Sequence, residues 1–258
     1  MDLQLSGRSA LVTGSYRGTG LIIARQLMAE GVRVYVHGLE SGQAAAAVTE
    51  LGGGEAVTGD ISCDAGCEAL FGELNEACPD ILINNYGTAE RGSWESSVSA
   101  DWLDIYQKNV LSAQRLIRQF LPAMRKRDWG RIINLGTVGS TRPNARMPHY
   151  YSAKGALATM TISLAKEVAG TGIRVNLVSP GLILTPEVQN AYLESGRRKG
   201  WGDTWEEVEP MVAADIPIRR IVRREEVADL VTFLASPLAD AIHGQNIRVD
   251  GGALDILS

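Results

Sequence analysis

Short, nearly unbroken apolar runs recur along this chain, separated by longer stretches of helical periodicity. This alternation constrains the fold more than any other feature. A strand that is apolar at every position must be covered on both faces. A helix between successive strands supplies that cover and returns the chain to start the next strand in parallel. The runs at residues 9–12, 32–36, 80–84, 131–135, 173–178 and 246–249 read as strands, and Val57 closes a weaker one. Residues 21–30, 44–51, 101–127, 150–169 and 225–235 read as helices, the third broken or bent near Pro122, which lacks an N–H. The predicted fold is α/β: one doubly wound parallel sheet of about seven strands with helices on both faces, in a single domain spanning residues 1–258. Residues 186–217 are read as irregular. They break the alternation just beyond a strand's C-terminal end, where open α/β sheets bind ligands, so a substrate lid is expected there.

Composition narrows the function class. At 258 residues, 45% of them hydrophobic, the chain can bury one large core. A net charge of -5 without a basic stripe argues against a nucleic-acid partner, and Arg197-Arg198-Lys199 reads as a solvated surface. Three cysteines, Cys63, Cys67 and Cys78, with no CxxC pair, give neither a disulfide framework nor a zinc site, so no metal is expected. No apolar segment approaches the roughly 20 residues needed to cross a bilayer, and the first residues lack a charged start followed by a long apolar run. A soluble, cytoplasmic protein with no membrane partner is expected.

Two local patterns carry chemistry. Thr13-Gly14-Ser15-Tyr16-Arg17-Gly18-Thr19-Gly20 follows the first strand and opens the first helix. Gly14 permits a tight turn, Gly18 a close approach of backbone to a pyrophosphate, and Gly20 close packing of helix on sheet. The helix N-terminus then offers unpaired N–H groups to phosphate. The spacing is G-x-x-x-G-x-G, and the same loop in a protein that binds nothing would be only a glycine-rich turn. Tyr150 and Lys154 lie four apart on a predicted helix and so share a face. A phenol has an ordinary pKa of about 10, and an ammonium beside it favours the phenolate. Alone, Tyr-x-x-x-Lys is better explained by a tyrosine packed on a lysine stem.

Together with further segments, these patterns resemble the short-chain dehydrogenase/reductase family. Asn84-Asn85-Tyr86-Gly87 resembles its Asn-Asn-Ala-Gly, Asn109 its helix asparagine, and Thr137 stands where a serine is usual. Pro180-Gly181-Leu182-Ile183-Leu184-Thr185 resembles its Pro-Gly-x-x-x-Thr, and Val249-Asp250-Gly251-Gly252 its closing turn. The likeness runs from about Leu5 to Leu254. It implies a Rossmann-type sheet and an NAD(P)-dependent oxidoreductase that interconverts a ketone and a secondary alcohol by hydride transfer. It implies Tyr150 as general acid in reduction and base in oxidation, and Lys154 lowering its pKa and bonding the nicotinamide ribose. Thr137 would orient the substrate oxygen, and Asn109 would hold a water near Lys154. On the cofactor it implies contacts from Gly14, Ser15, Arg17, Gly18, Thr19, Gly20, Asp60, Ile61, Asn84, Pro180, Gly181, Ile183 and Thr185. Among relatives it points to 3-oxoacyl-[acyl-carrier-protein] reductase-like members and to a homotetramer paired through the helices at 101–127 and 150–169.

Several positions depart from the family pattern. Tyr86 replaces a small residue and would either line the substrate cavity or pack as core. Gly38 stands where relatives that prefer NAD carry an aspartate, and Arg17 matches a basic position that reaches a 2′-phosphate, so NADP(H) is favoured. Leu39 stands where many NADP users have arginine, and Glu40 is an acid nearby, so NAD(H) is the alternative. Tyr192, Trp201, Trp205 and Met211 in the lid suit a bulky, mostly apolar carbonyl or alcohol, or else close the lid on the body. The run Arg197-Arg198-Lys199 would also suit a phosphopantetheine arm, hence a 3-oxoacyl thioester. From another class, a catalytically idle dinucleotide-binding regulator would be expected to have lost Tyr150, and a serine hydrolase would need a G-x-S-x-G elbow that the sequence lacks.

Overall fold

The computed structural model describes residues 1–74 and 77–256. In chain order its principal elements are β1 (Ser9–Val12), α1 (Gly18–Ala29), β2 (Arg33–Gly38), α2 (Gln43–Leu51), β3 (Glu55–Thr58), α3 (Asp64–Glu73), β4 (Ile81–Asn84), α4 (Ser99–Tyr106), α5 (Ser112–Arg127), β5 (Gly130–Leu135), α6 (Pro148–Glu167), β6 (Ile173–Pro180), β7 (Ile183–Leu184), α7 (Pro186–Lys199), α8 (Trp205–Val212), β8 (Val222–Arg223), α9 (Arg224–Ala235) and β9 (Asn246–Val249). Among the described residues, seven strands form one sheet in the order β3-β2-β1-β4-β5-β6-β9, every pairing parallel, and β7 pairs with β8 apart from it.

Burial on both faces explains the unbroken apolar runs. In β1, Ala10 and Val12 join one core layer, with Leu27 of α1, Ala44 of α2 and Val231 of α9. Leu11, between them, points into the other, with Leu70 of α3, Phe120 of α5 and Leu157 of α6. Strand order reverses between β1 and β4, and the glycine loop after β1 and the Asn84–Gly87 segment after β4 meet at that reversal.

Three expectations need correction. Pro122 does not break α5, which runs through it to Arg127. The helix expected over 101–127 is instead divided at a π-helical turn, Gln107–Leu111. The stretch expected to be irregular, 186–217, is a helical hairpin. Thr185 caps α7, accepting from Val188 N at 3.2 Å, and Pro186 takes the first turn, where no N–H is required. Thr204 and Glu207 form a capping box on α8. No described helix is long and apolar enough to cross a membrane.

Candidate active site

The glycine loop is built from the ends of β1, β2 and β4. Gly14 adopts a φ of +63°, a left-handed conformation that only glycine takes cheaply, and a Cβ there would stand 3.3 Å from Tyr86 Cα. Thr13 Oγ1 accepts from Asn85 N at 3.0 Å and Tyr86 N at 2.9 Å, binding the loop to the segment after β4. Helix α1 starts at Gly18 with no side-chain cap on its first N–H groups. Uncapped N–H groups at a helix N-terminus bind anions, and Gly14, Arg17, Gly18 and Thr19 line the cleft in front of them.

That cleft continues, past Thr19 and Gly87, to the tyrosine and lysine. Lys154 is 5% exposed, and its Nζ donates to Leu135 O at 2.8 Å. Burial pushes its ammonium down to about 8. Tyr150 lies one turn earlier, its ring centre 6.0 Å from Lys154 Nζ. Burial pushes the phenol up to about 12, Tyr151 adds to this, and a hydrogen bond with the Thr137 side chain opposes it. The lowered phenol pKa expected from the spacing is therefore not a property of the protein alone. Lys154 spends a hydrogen bond on a backbone carbonyl, and desolvation dominates at the phenol.

Asn109 sits in the π-helical turn, a local widening frequent at functional sites. Its Nδ2 donates to Ile105 O at 3.1 Å and Thr88 O at 3.0 Å. Its Oδ1 is buried without a partner among the described residues. A Cβ on Gly87 would lie 2.4 Å from that oxygen and 3.3 Å from Lys154 Nζ, so the amide oxygen and the ammonium face one space across a glycine. A buried acceptor left unpaired costs roughly 1–3 kcal/mol, which a water or ligand hydroxyl there would relieve. Uncapped helix N–H groups, a glycine-walled cleft and this open oxygen fit a dinucleotide. When bound, its nicotinamide supplies or accepts the hydride, and its oxidised form adds the positive charge that Lys154 alone does not bring to the phenol.

The expected residues do not all face this cleft. Pro180 and Ile183 line it. Gly181 packs instead on Asp250, where a Cβ would approach to 3.0 Å. The Ser15 hydroxyl is fully buried, donating to Val12 O at 2.7 Å and accepting from His37 N at 2.9 Å, which leaves only its backbone for a ligand. Ile61 is likewise a core side chain at 1% exposure. Asp60 is exposed, one oxygen engaged by Ser62 N and Oγ. Asn84 supports the sheet, its Nδ2 donating to Asn134 Oδ1 at 2.8 Å. Thr185 Oγ1 is used as a helix cap. Arg17 lies at the cleft mouth, 3.6 Å from Glu187 of α7. Tyr86 does both things open to it in part: it packs against the core layer that holds Leu11, and it lines the cleft at Gly14, toward the glycine loop rather than the tyrosine.

A sequence profile described as enoyl-(acyl carrier protein) reductase matches residues 14–253. The chain is 35% identical, over 98% of its length and 98% of the relative's, to the uncharacterized oxidoreductase YvaG of Bacillus subtilis (strain 168). It is 34% identical to the 3-oxoacyl-[acyl-carrier-protein] reductase FabG of Escherichia coli (strain K12), covering 97% of this chain and 98% of that one. The crystal structure of L-sorbose reductase from Gluconobacter frateurii, complexed with NADPH and L-sorbose, superposes with a TM-score of 0.91 at 32% identity over 100% of both chains. The chain belongs to the short-chain dehydrogenase/reductase family. Like other members of this family it is an oxidoreductase of CH–OH and C=O groups. Of the residues that the resemblance singled out for catalysis, Tyr150, Lys154 and Asn109 line one cleft, and the Thr137 side chain is hydrogen-bonded to Tyr150. Asn85, Thr88 and Leu135, which also line the cleft, were not singled out. Asn85 stood within the quoted motif, but Leu135 serves through its carbonyl, which no side-chain pattern reports.

Proposed function

We propose that the protein is an NADP(H)-dependent reductase of a small polar ketone, running the reverse oxidation with the same groups. Tyr150 is the general acid in reduction and the base in oxidation. Thr137 orients the substrate oxygen beside it, and Lys154 and Asn109 hold the ribose side and its water. The observation that carries this reading is the arrangement of Tyr150, Lys154 and the open Asn109 oxygen at one end of a cleft whose other end is an uncapped helix N-terminus. Thr185 would reach the carboxamide with its remaining O–H.

The cofactor preference rests on the end of β2. A Cβ on Gly38 would stand 2.8 Å from Gln43 Cβ and 3.0 Å from Ala44 N, so packing of α2 itself bars the carboxylate that would select NAD. Gln43 Nε2 donates to the Glu40 carboxylate at 3.3 Å, holding that acid on the α2 start. Arg17 at the cleft mouth is free to exchange Glu187 for a 2′-phosphate, and L-sorbose reductase was crystallised with NADPH. NAD(H) is the alternative cofactor.

For the substrate, the lid residues Tyr192, Trp201, Trp205 and Met211 that suggested an apolar ketone are not among those lining the cleft. Trp201 sits under Lys199 at 4.2 Å, and Met211 is half exposed at 50%. Asn85 and Thr88 line the cleft instead, and a relative that takes L-sorbose supports a polyhydroxy ketone. The second reading is a 3-oxoacyl thioester, favoured by the FabG relative and by Arg197, Arg198 and Lys199 in the last turn of α7. We assign α7 and α8, residues 186–217, as the lid in either case.

Two copies, and by further symmetry a tetramer, would pair through α5 and α6. Leu116 and Phe120 of α5 are buried in the protomer's own core at 1% exposure each, so the half-buried Met160 and Leu164, which line a groove on that face, take the role. Three free cysteines suit the cytoplasm. The test is steady-state kinetics with NADPH and NADH against ketoses, simple ketones and an acetoacetyl thioester. NADPH with a ketose is expected. An NADH preference of about tenfold or more, a difference of about 1.4 kcal/mol, overturns the cofactor assignment, and turnover of the thioester alone selects the second reading.

A further inference from the structure

His37, the fifth residue of β2, takes no part in the chemistry above, yet its ring is completely enclosed. Gly14 N donates to its Nδ1 at 3.0 Å, and its Nε2 lies 2.8 Å from Gly59 O. An N–H needs an acceptor and a carbonyl needs a donor, so these two partners fix one tautomer: Nδ1 bare, Nε2 protonated. The backbone of the same residue continues the attachment. His37 N donates to Ser15 Oγ at 2.9 Å, and Tyr16 N donates to His37 O at 3.3 Å. Three successive residues of the glycine loop are thereby fastened to one histidine, and that histidine is fastened to the turn that begins Gly59-Asp60. Asp60 is the charged group whose field reaches the ring, and burial outweighs it, holding the imidazole neutral.

We propose that His37 is a positioning residue for the cofactor: its bare Nδ1 sets where Gly14 lies, and its ring makes the glycine loop and the Gly59–Asp60 turn one rigid wall of the cleft. The proposal rests on the reading of that cleft as a dinucleotide site. Gly14 N–H is spent on the histidine, so the phosphates are left to the N–H groups at the start of α1, whose position the histidine fixes indirectly. A polar residue that only filled space would need neither a single tautomer nor partners on two different loops.

Two substitutions separate the halves of the ring. His37→Asn keeps a polar atom near the Nδ1 position, and His37→Gln keeps one near Nε2. NADPH binding is followed by its fluorescence, alongside KM and kcat for turnover. For His37→Gln, Kd and KM for NADPH should rise about tenfold, as expected for the loss of one buried hydrogen bond, with kcat at saturation changed less than about threefold. His37→Asn should stay within about threefold of wild type in both. Equal effects of the two variants, or a loss confined to kcat, overturn the proposal while leaving the dinucleotide reading intact. Failure of the wild-type protein to bind either NADPH or NADH removes the reading itself and the proposal with it. Should both variants fail to fold, imidazole 15N shifts of the wild-type protein decide: a protonated Nε2 and bare Nδ1 at pH 7 support the assignment, and the opposite tautomer overturns it.

Discussion

Burial holds Tyr150 in the protonated state, the one that reduction would use and oxidation would not. Burial pushes its phenol up to about 12, so in the protein alone it is a proton donor, suited to protonating an alkoxide and unsuited to abstracting a proton. Lys154, driven down to about 8 by burial, is nonetheless charged at neutral pH, and its Nζ donates to a backbone carbonyl, with no acidic partner among the described residues. Tyr150→Phe keeps the ring and removes the proton, so single-turnover rates should fall roughly 10²–10⁴-fold while NADPH affinity stays nearly unchanged. Retention of more than about a tenth of the wild-type chemical rate would remove Tyr150 from the reaction. This pair was legible in the sequence because helical spacing alone puts residues four apart on one face. His37 was not, because its partners come from the loops after β1 and β3 and meet it only through the strand order of the sheet.

At the scale of elements, the strands were the legible part, because double burial writes itself as continuous apolar sequence. Helix α3 was missed: DAGCEALFGE contains two glycines and buries only Cys67 and Leu70, so no apolar stripe announces it. The α7–α8 hairpin was read as irregular because it breaks the strand–helix alternation, although Thr185 and Thr204 carry cap chemistry. Its closure depends on Gly196. A Cβ there would stand 2.6 Å from Cγ2 of Val208, which is completely buried and cannot retreat. Gly196→Val gains only a few tenths of a kcal/mol in helix propensity, against roughly 1–3 kcal/mol for overpacking, so packing decides the sign and the hairpin should open. Limited proteolysis within 186–217 should then accelerate several-fold and the substrate KM should rise, with the melting temperature of the sheet domain little changed. An unaltered cleavage rate would mean that α7 and α8 do not depend on this contact, and would weaken their assignment as a lid.

For the whole molecule, the buried histidine ties cofactor-site geometry to stability in acid. The imidazole's ordinary value near 6.5 falls to about 4 in the fold, through burial. A neutral ring is required by Gly14 N–H, whereas the unfolded chain takes up the proton at 6.5. Stability from this group is thus fully present above pH 6.5 and is lost as pH falls toward about 4. Linkage puts the loss between pH 7 and pH 5 at about 2 kcal/mol. Glu226 shows a separate window: Arg220 holds its carboxyl down to about 2, so that contribution fades only below its ordinary value of 4.5 and lies outside the interval. Urea unfolding at fixed protein concentration should therefore show the wild-type protein losing about 2 kcal/mol more than His37→Asn between pH 7 and pH 5. The fixed concentration matters because an oligomer gains stability by mass action, which would otherwise be mistaken for titration. Parallel pH profiles for the two proteins would show that the ring is not neutral in the fold, and would remove the acceptor on which the position of Gly14 depends.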